Sequence, residues 1–182
     1  RGLVGSEMCI RDRPIIKSYS NGKTLELVKW GIVPSWAKQK DFRPLINARI
    51  ETIDEKVSFK KLIKTTRCVA VMDGFYEWKR SKESKTPFYF TREDKKPLYV
   101  AGIFENNEFC LITEEASQNV MDIHHRQPVI LNNNEIDNYL DLKKDGKKYL
   151  SQIKKIPLNF YEISKEVNKP TNNYPSLISK LN

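Results

Sequence analysis

Short apolar runs separated by turn residues recur through the middle of the chain and constrain its fold most strongly. One of these runs, Cys68–Met72, is apolar throughout, which is typical of a strand buried on both faces. Helical spacing is confined to the short segments 57–63, 117–121, 135–142 and 147–153. The pattern predicts an α+β domain with a curved, mostly antiparallel sheet and short peripheral helices, rather than a doubly wound parallel sheet. Strands are predicted over 24–31, 68–72, 75–78, 88–91, 98–104, 109–113 and 160–163.

Turn residues predict how some of these strands follow one another. Asn21-Gly22, Asp73-Gly74 and Asn106-Asn107 each precede an extended run. The runs 88–91 and 98–104 are predicted to pair as a hairpin around residues 93–96. A length of 182 residues suits a single domain.

The charge balance favours a polyanionic partner. Lys and Arg number 32 against 23 Asp and Glu, a formal net charge of +9. This excess points to nucleic acid first and an anionic membrane surface second, although a lysine-rich surface also serves solubility alone. No apolar run reaches the ~20 residues of a membrane helix, and no signal peptide is predicted. Three cysteines, Cys9, Cys68 and Cys110, form no dense disulfide framework, which favours a reducing cytosol.

Three residues are candidates for acid–base chemistry. His124 and His125 are adjacent, so their side chains point in different directions and a metal site using both is disfavoured; no metal or other cofactor is predicted. One of them is suited to acid–base work, the alternative being a surface pair. Glu77 stands among aromatic residues, where lost solvation raises a carboxyl pKa. The alternative is a solvent-facing Glu77 paired with Lys79.

Two further groups are candidates for binding. Asn47 and Arg49 share a face if residues 46–50 are extended, and together suit a phosphate or sugar, or a hydrogen-bonded loop. Trp30 and Trp36 flank a Gly/Pro turn; an exposed tryptophan stacks on unpaired bases, whereas a buried one is core. With seven glycines, the chain carries neither a P-loop nor a Rossmann fingerprint.

The order of the motifs closely resembles the SOS response-associated peptidase (SRAP) family, from about Pro14 to the C-terminus. The motifs are WGIVPSWAK (30–38), INARIET (46–52), RCVAVMDGFYEWK (67–79), PFYF (87–90), AGIFE (101–105), LITEEA (111–116) and IHHRQPVIL (123–131). The resemblance implies the SRAP fold and an abasic-site sensor that binds single-stranded DNA. It further implies that an N-terminal cysteine captures the ring-opened sugar aldehyde as a thiazolidine, and that the protein processes its own N-terminus. The α-amine pKa of about 7.7–8.0 leaves a useful neutral fraction for this chemistry.

By the resemblance, Asn47 contacts the captured nucleotide, Glu77 assists proton transfer during imine formation, and His124 protonates the sugar oxygen. His125 falls at a variable position of the family, and Gln127 stands where methionine is frequent. The positions that the resemblance assigns to the DNA side are Trp36, Arg49, Thr113 and Arg126.

The N-terminal residues depart from the family pattern. Cys9 follows Met8, but Trp30 comes only 21 residues later, which leaves no room for the family's intervening segment. The run GSEMCIRDR also resembles translated sequencing-library adapter, so residues 1–13 are expected to be non-native and 14–182 to form a SRAP domain lacking its N-terminal segment. Cys9 is accordingly a doubtful nucleophile, the fragment is expected to bind DNA weakly without forming a thiazolidine, and Cys68 and Cys110 are expected to be inert core thiols.

Two alternative functions remain open from the sequence. One is an autopeptidase in which Glu77 and His124 cut off only the chain's own N-terminal Met. The other is a non-catalytic module that recognises modified bases or DNA ends. The expected partner is single-stranded DNA containing abasic sites, with no membrane partner, and the expected state is a monomer in the cytoplasm, associated with the nucleoid in a bacterium.

Overall fold

The computed structural model describes residues 12–37 and 42–181, in which eleven strands and four short α-helices are found. This mixed α+β composition with short helices confirms the predicted fold class. The helices are α1 (Leu62–Thr65), α2 (Gln118–Met121), α3 (Ile136–Leu140) and α4 (Gly146–Leu150). The strands are β1 (Asp12–Tyr19), β2 (Gly22–Trp30), β3 (Asn47–Arg49), β4 (Arg67–Met72), β5 (Phe75–Arg80), β6 (Lys85–Arg92), β7 (Leu98–Glu105), β8 (Glu108–Glu115), β9 (Arg126–Pro128), β10 (Ile130–Leu131) and β11 (Leu158–Glu162).

Five strands close into a barrel. β7, β4, β1, β2 and β8 follow one another across the larger sheet, and β8 returns to pair with β7. Along one edge β8 pairs first with β7 and then with β9; along the other it pairs in parallel with β2 and then β3. The remaining pairings are antiparallel. Closure leaves these five strands without a long free edge.

The central strands are buried on both faces. On β4, Cys68 and Ala70 face one hydrophobic cluster while Val69 faces another. The cluster that contains Val69 includes residues of α1, α3 and α4. Two-sided burial is the physical reason for the uninterrupted apolar run in the sequence. On β2, by contrast, Val28 is fully buried whereas Leu25 and Leu27 are each 67% exposed.

A three-stranded sheet of β5, β6 and β11 packs beside the barrel. The predicted hairpin between 88–91 and 98–104 is therefore wrong, because β6 pairs with β5 and β11 while β7 pairs with β4, β8 and β10. The connection between them crosses from one sheet to the other. Arg92 donates two hydrogen bonds to the Asp94 carboxylate, at 2.8 and 2.7 Å, and Lys95 takes the left-handed conformation with φ 57°.

The other predicted elements are recovered, with shifted bounds. Phe59, Leu62 and Ile63 are buried as their spacing predicts, but the α-helix spans only Leu62–Thr65 and is preceded by turns. Strand β1 was not predicted; it pairs along its whole length with β2. The division of the chain at residue 13 stays a prediction. Within the described ranges, no helix has the length and apolar character that crossing a membrane requires.

Candidate functional site

A cavity of about 330 Å³ opens where β3, β5, β8 and β9 meet. Below it is called the site cavity. Most of the site residues predicted from the sequence line it: Asn47, Arg49, Glu77, Thr113, His124 and Arg126. They come from four separate stretches of chain, so the fold alone brings them together.

β3 carries the binding candidates Asn47 and Arg49. This strand of three residues pairs in parallel with β8, which places Asn47 opposite Leu111 and Arg49 opposite Thr113. Ala48 between them is buried in the core. Since side chains alternate along a strand, burial of Ala48 turns the amide of Asn47 and the guanidinium of Arg49 together towards the site cavity. The shared face predicted from the sequence is confirmed.

Glu77 reaches the site cavity from β5. Phe75 lies on the same face of the strand and is buried, so the carboxyl group stands beside an apolar surface. Burial raises the pKa of Glu77, and the nearby His124 opposes that rise. The Glu77 Oε1 atom lies 3.7 Å from His124 Nδ1. The two acid–base candidates are therefore direct neighbours, and the predicted pKa direction is confirmed.

His124 is held in the loop between α2 and β9. Its backbone N–H donates to the Val120 carbonyl at 3.0 Å. Its Nδ1 atom lies 3.2 Å from the Arg126 backbone N–H, which donates to it, and 3.0 Å from the Arg126 carbonyl oxygen. Nδ1 thus has a donor and acceptors within reach, so the loop accommodates this nitrogen with or without a proton. That property suits a group that moves protons.

The guanidinium of Arg126 is engaged by the protein itself. Its Nη1 and Nη2 atoms donate to the two carboxylate oxygens of Glu51 at 2.8 and 2.9 Å, and Nη2 also donates to the Thr113 carbonyl at 2.7 Å. The Arg126 bond lowers the pKa of Glu51. A two-pronged arginine–carboxylate pair has a definite orientation, so Glu51 fixes the strand that follows His124. Glu51 was not predicted as a site residue, although it stands in the INARIET motif.

Gln127 also holds strand β9 in place, through hydrogen bonds of its side chain. Its side chain is 2% exposed, and its Oε1 atom accepts hydrogen bonds from the backbone N–H and hydroxyl of Ser117 at 2.8 and 2.9 Å. Its Nε2 donates to Glu114 at 3.1 Å. A methionine side chain could not replace this amide, because it cannot donate a hydrogen bond.

Trp36 does not join the other predicted residues. It is 55% exposed, packs edge-on against Phe42 with ring centroids 5.5 Å apart, and is not part of the cavity lining. Trp30 is core: it is 2% exposed and its Nε1 donates to the Ile46 carbonyl at 3.0 Å. His125, which was not predicted as a site residue, lines the site cavity with its ring centroid 4.6 Å from that of His124.

The described cysteines are unsuited to nucleophilic attack. Cys68 and Cys110 are unpaired and fully buried, and burial raises the pKa of both thiols. Cys9 lies outside the described residues. Within those residues, no three His, Cys, Asp or Glu side chains are grouped to hold a metal ion. The chemistry that the site cavity offers is proton transfer by Glu77 and His124, hydrogen bonding by Asn47, and a positive charge on Arg49.

Comparisons with known proteins converge on one family. The family model described as SOS response associated peptidase (SRAP) matches residues 8–170. The abasic site processing protein YoqW of Bacillus subtilis is 34% identical over 179 residues, which cover 90% of this chain and 80% of YoqW. The abasic site processing protein HMCES of Gallus gallus is 32% identical over 197 residues, covering 87% of this chain and 58% of HMCES. A crystal structure of a protein from Bacteroides thetaiotaomicron matches with a TM-score of 0.84 and 26% identity, covering 98% of this chain and 84% of that one.

Proposed function

Because the chain belongs to the SOS response-associated peptidase family, as its motifs predicted, we propose that it processes abasic sites in DNA. Relatives in Bacillus subtilis and Gallus gallus are abasic site processing proteins by name. The observation that carries the proposal is the pairing of Glu77 and His124, 3.7 Å apart, in a cavity that also presents Asn47 and Arg49.

The proton chemistry of an abasic sugar suits this pair. The sugar is a cyclic hemiacetal, and opening it to the aldehyde moves one proton from the anomeric hydroxyl and delivers one to the ring oxygen. His124 delivers the proton to the ring oxygen, and Glu77, whose pKa is raised by burial, accepts the proton that leaves the anomeric hydroxyl. The Asn47 amide holds the sugar by hydrogen bonds, since it can donate and accept.

The DNA strand binds through its phosphates at the Arg49 side of the site cavity. Arg49 is exposed and faces the site cavity, and a guanidinium recognises phosphate in two-pronged fashion. Single-stranded DNA fits best because an abasic sugar there need not be turned out of a stacked duplex to reach a cavity. Thr113 and Arg126 line the site cavity beside Arg49. Arg126 contributes by holding this part of the cavity in place through its hydrogen bonds to Glu51 and Thr113.

Covalent capture requires a further component. A thiazolidine forms when an aldehyde condenses with an α-amine, releases one water to give an imine, and the thiol of the same residue adds across the C=N bond. Cys68 and Cys110 are excluded because both are fully buried. Cys9 gains a free α-amine only when its bond to Met8 is cut. The uncut chain is therefore proposed to bind the abasic site without forming a thiazolidine.

The test uses a fluorescent single-stranded oligonucleotide with one abasic site and an intact oligonucleotide of the same sequence. We expect tighter binding of the abasic strand in a native gel, and a loss of that preference in Asn47→Ala. We expect no heat-stable adduct on a denaturing gel with the uncut chain. Lys23→Gln is the control, since Lys23 pairs with Asp137 and does not line the site cavity.

Two results would contradict the proposal. Equal affinity for abasic and intact strands would favour the non-catalytic DNA-binding module. A heat-stable adduct that disappears in Cys9→Ala, together with loss of residues 1–8 by mass spectrometry, would show that the chain processes its own N-terminus and that Cys9 is a working nucleophile.

A further inference from the structure

A second cavity lies on the opposite face of β5. It has a volume of about 210 Å³ and shares no lining residue with the site cavity. Because side chains alternate along a strand, Phe75 and Glu77 face the site cavity while Tyr76 faces this second one. Its other wall comes from the C-terminal stretch 167–178. Below it is called the tyrosine cavity.

Two buried tyrosines form the inner wall of the tyrosine cavity. Tyr76 on β5 and Tyr89 on β6 stand directly opposite each other in the sheet, with ring centroids 5.3 Å apart, and are only 4% and 3% exposed. Neither hydroxyl makes a hydrogen bond to any other described residue, whereas Tyr161 and Tyr174 each donate one, at 2.9 Å. Both side chains line the cavity, so their hydroxyls are within reach of a molecule bound in it. Two hydroxyls at one cavity can each form a hydrogen bond to a ligand.

Gly74 keeps the Tyr89 hydroxyl in its place. A Cβ atom at position 74 would lie 2.5 Å from the Tyr89 hydroxyl oxygen and 2.4 Å from the Phe90 carbonyl oxygen. Any side chain there would displace the Tyr89 ring or the β6 backbone. The turn that ends β4 therefore leaves space for this hydroxyl.

The lining disfavours an anionic ligand and suits a planar one. The walls are the aromatic rings together with Val167 and Leu177, and no lysine or arginine is among the described lining residues, so an anionic group would find no counter-charge. Polar groups at the rim are the Asp73 carboxylate and the amides of Asn172 and Asn173. Aromatic faces with hydroxyl and amide edges recognise a heteroaromatic ring that both donates and accepts hydrogen bonds.

We propose that the tyrosine cavity is a binding site for a nucleobase, presented as a free nucleoside. The ring lies against the tyrosine faces, the Tyr76 and Tyr89 hydroxyls bond its inner edge, and Asp73 accepts from an exocyclic or ring N–H at the rim. This binding is separate from the processing of abasic sites and does not depend on it.

The test is ligand-detected NMR with adenosine, guanosine, cytidine and thymidine on the full chain, followed by titration of the best binder. We expect saturable binding that Tyr89→Phe weakens about three- to tenfold, the loss that follows from one hydrogen bond. Tyr89→Phe is expected to fold, because the deleted hydroxyl has no partner among the described residues. Asn173→Ala, at the exposed rim, is expected to weaken binding as well and gives a second readout that does not involve the core.

Tyr19→Phe is the matched control, since this tyrosine is 45% exposed and donates to Glu26 far from the tyrosine cavity's lining. The proposal is overturned if no nucleoside binds at millimolar concentration, or if binding is unchanged in both Tyr89→Phe and Asn173→Ala. Competition by inorganic phosphate would overturn the assignment of an uncharged ligand.

Discussion

Glu77 carries a carboxyl group whose ionisation is expected to lower the stability of the folded state. Burial raises the pKa of its carboxyl group, so the folded state binds the proton more tightly than the unfolded chain does. Its contribution to stability is complete below the ordinary glutamate pKa of about 4.3 and is lost as the pH rises through the higher folded-state value. Above that value the ionised carboxylate therefore lowers the stability of the fold, a cost that agrees with the proton transfer proposed for Glu77.

We expect Glu77→Gln to melt at a higher temperature than the parent chain at pH 7, with the difference closing near pH 4, roughly the ordinary glutamate pKa. The amide keeps the shape of the side chain and removes the charge. Thermal unfolding followed by circular dichroism at the two pH values measures this. Glu55→Gln, at an exposed position, is the control. A Glu77→Gln variant that is less stable than the parent chain at pH 7 would contradict the argument.

The two acid–base candidates could be identified from the sequence because each has a side chain that is unusual for its surroundings. Glu77 stands among aromatics, and His124 belongs to the only histidine pair. Glu51 could not be found in this way, because an acidic residue in a polar segment looks solvated until its partner is known. That partner, Arg126, lies 75 positions away in the chain. Long-range pairs of this kind become visible only in the folded structure.

Among the secondary-structure elements, strand β7 forms a hydrogen bond with helix α3, which lies outside the sheet. The fully buried Tyr139 on α3 donates its hydroxyl proton to the Gly102 carbonyl at 2.8 Å. The same glycine lets β7 pack closely against its neighbours, because a Cβ there would lie 2.9 Å from the Cys110 carbonyl oxygen and 3.1 Å from Cys68 Sγ. Helix and barrel are thereby joined at one residue of the central strand.

We expect Tyr139→Phe to lower the free energy of unfolding by about 1–3 kcal/mol, the cost of leaving a buried polar partner unpaired. Urea denaturation measures it. Tyr19→Phe deletes a hydroxyl whose bond to Glu26 is exposed and should change the free energy by less than about 0.5 kcal/mol. Equal effects of the two substitutions would show that the Tyr139 bond does not hold the helix to the barrel.

The existence of elements was easier to predict than their partners. The apolar run of β4 and the turn at Asn106 are local signals, and both are confirmed, with Asn106 in the left-handed conformation at φ 55°. Pairing between β6 and β7 was inferred from their closeness in sequence and is wrong, since a loop that joins two sheets has the same turn composition as a hairpin loop. Strand β1 was not predicted from the sequence.

For the molecule as a whole, the net charge of +9 favours a polyanionic partner, and the site cavity indicates where on the surface such a partner would bind. Arg126 is neutralised by Glu51, whereas Arg49 faces the site cavity and forms no ion pair within the described part of the chain. Lys23 and Lys147 pair with Asp137 and Asp54 elsewhere on the surface. Arg49 is therefore the charge that we expect to contribute most directly to DNA binding at the site cavity.

We expect the affinity for single-stranded DNA to fall with salt, and Arg49→Gln to reduce the slope of log K against log salt by about 0.7, the value for one phosphate contact on a single strand. Fluorescence anisotropy between low and physiological salt measures both slopes. Lys23→Gln should leave the slope unchanged. A slope that Arg49→Gln does not alter would place the phosphate contacts elsewhere on the protein.

Side chains alternate along β5, so that Glu77 lies on one face and Tyr76 on the other. Both cavities therefore depend more on the number of residues between Gly74 and Glu77 than on the identity of most of them. Deleting or inserting one residue before Tyr76 would turn every following side chain to the opposite face. The carboxyl group would then lie among the tyrosines, and a phenol would replace it beside His124. Both cavities would be lost in a single event, so insertions and deletions should be far rarer here than conservative substitutions.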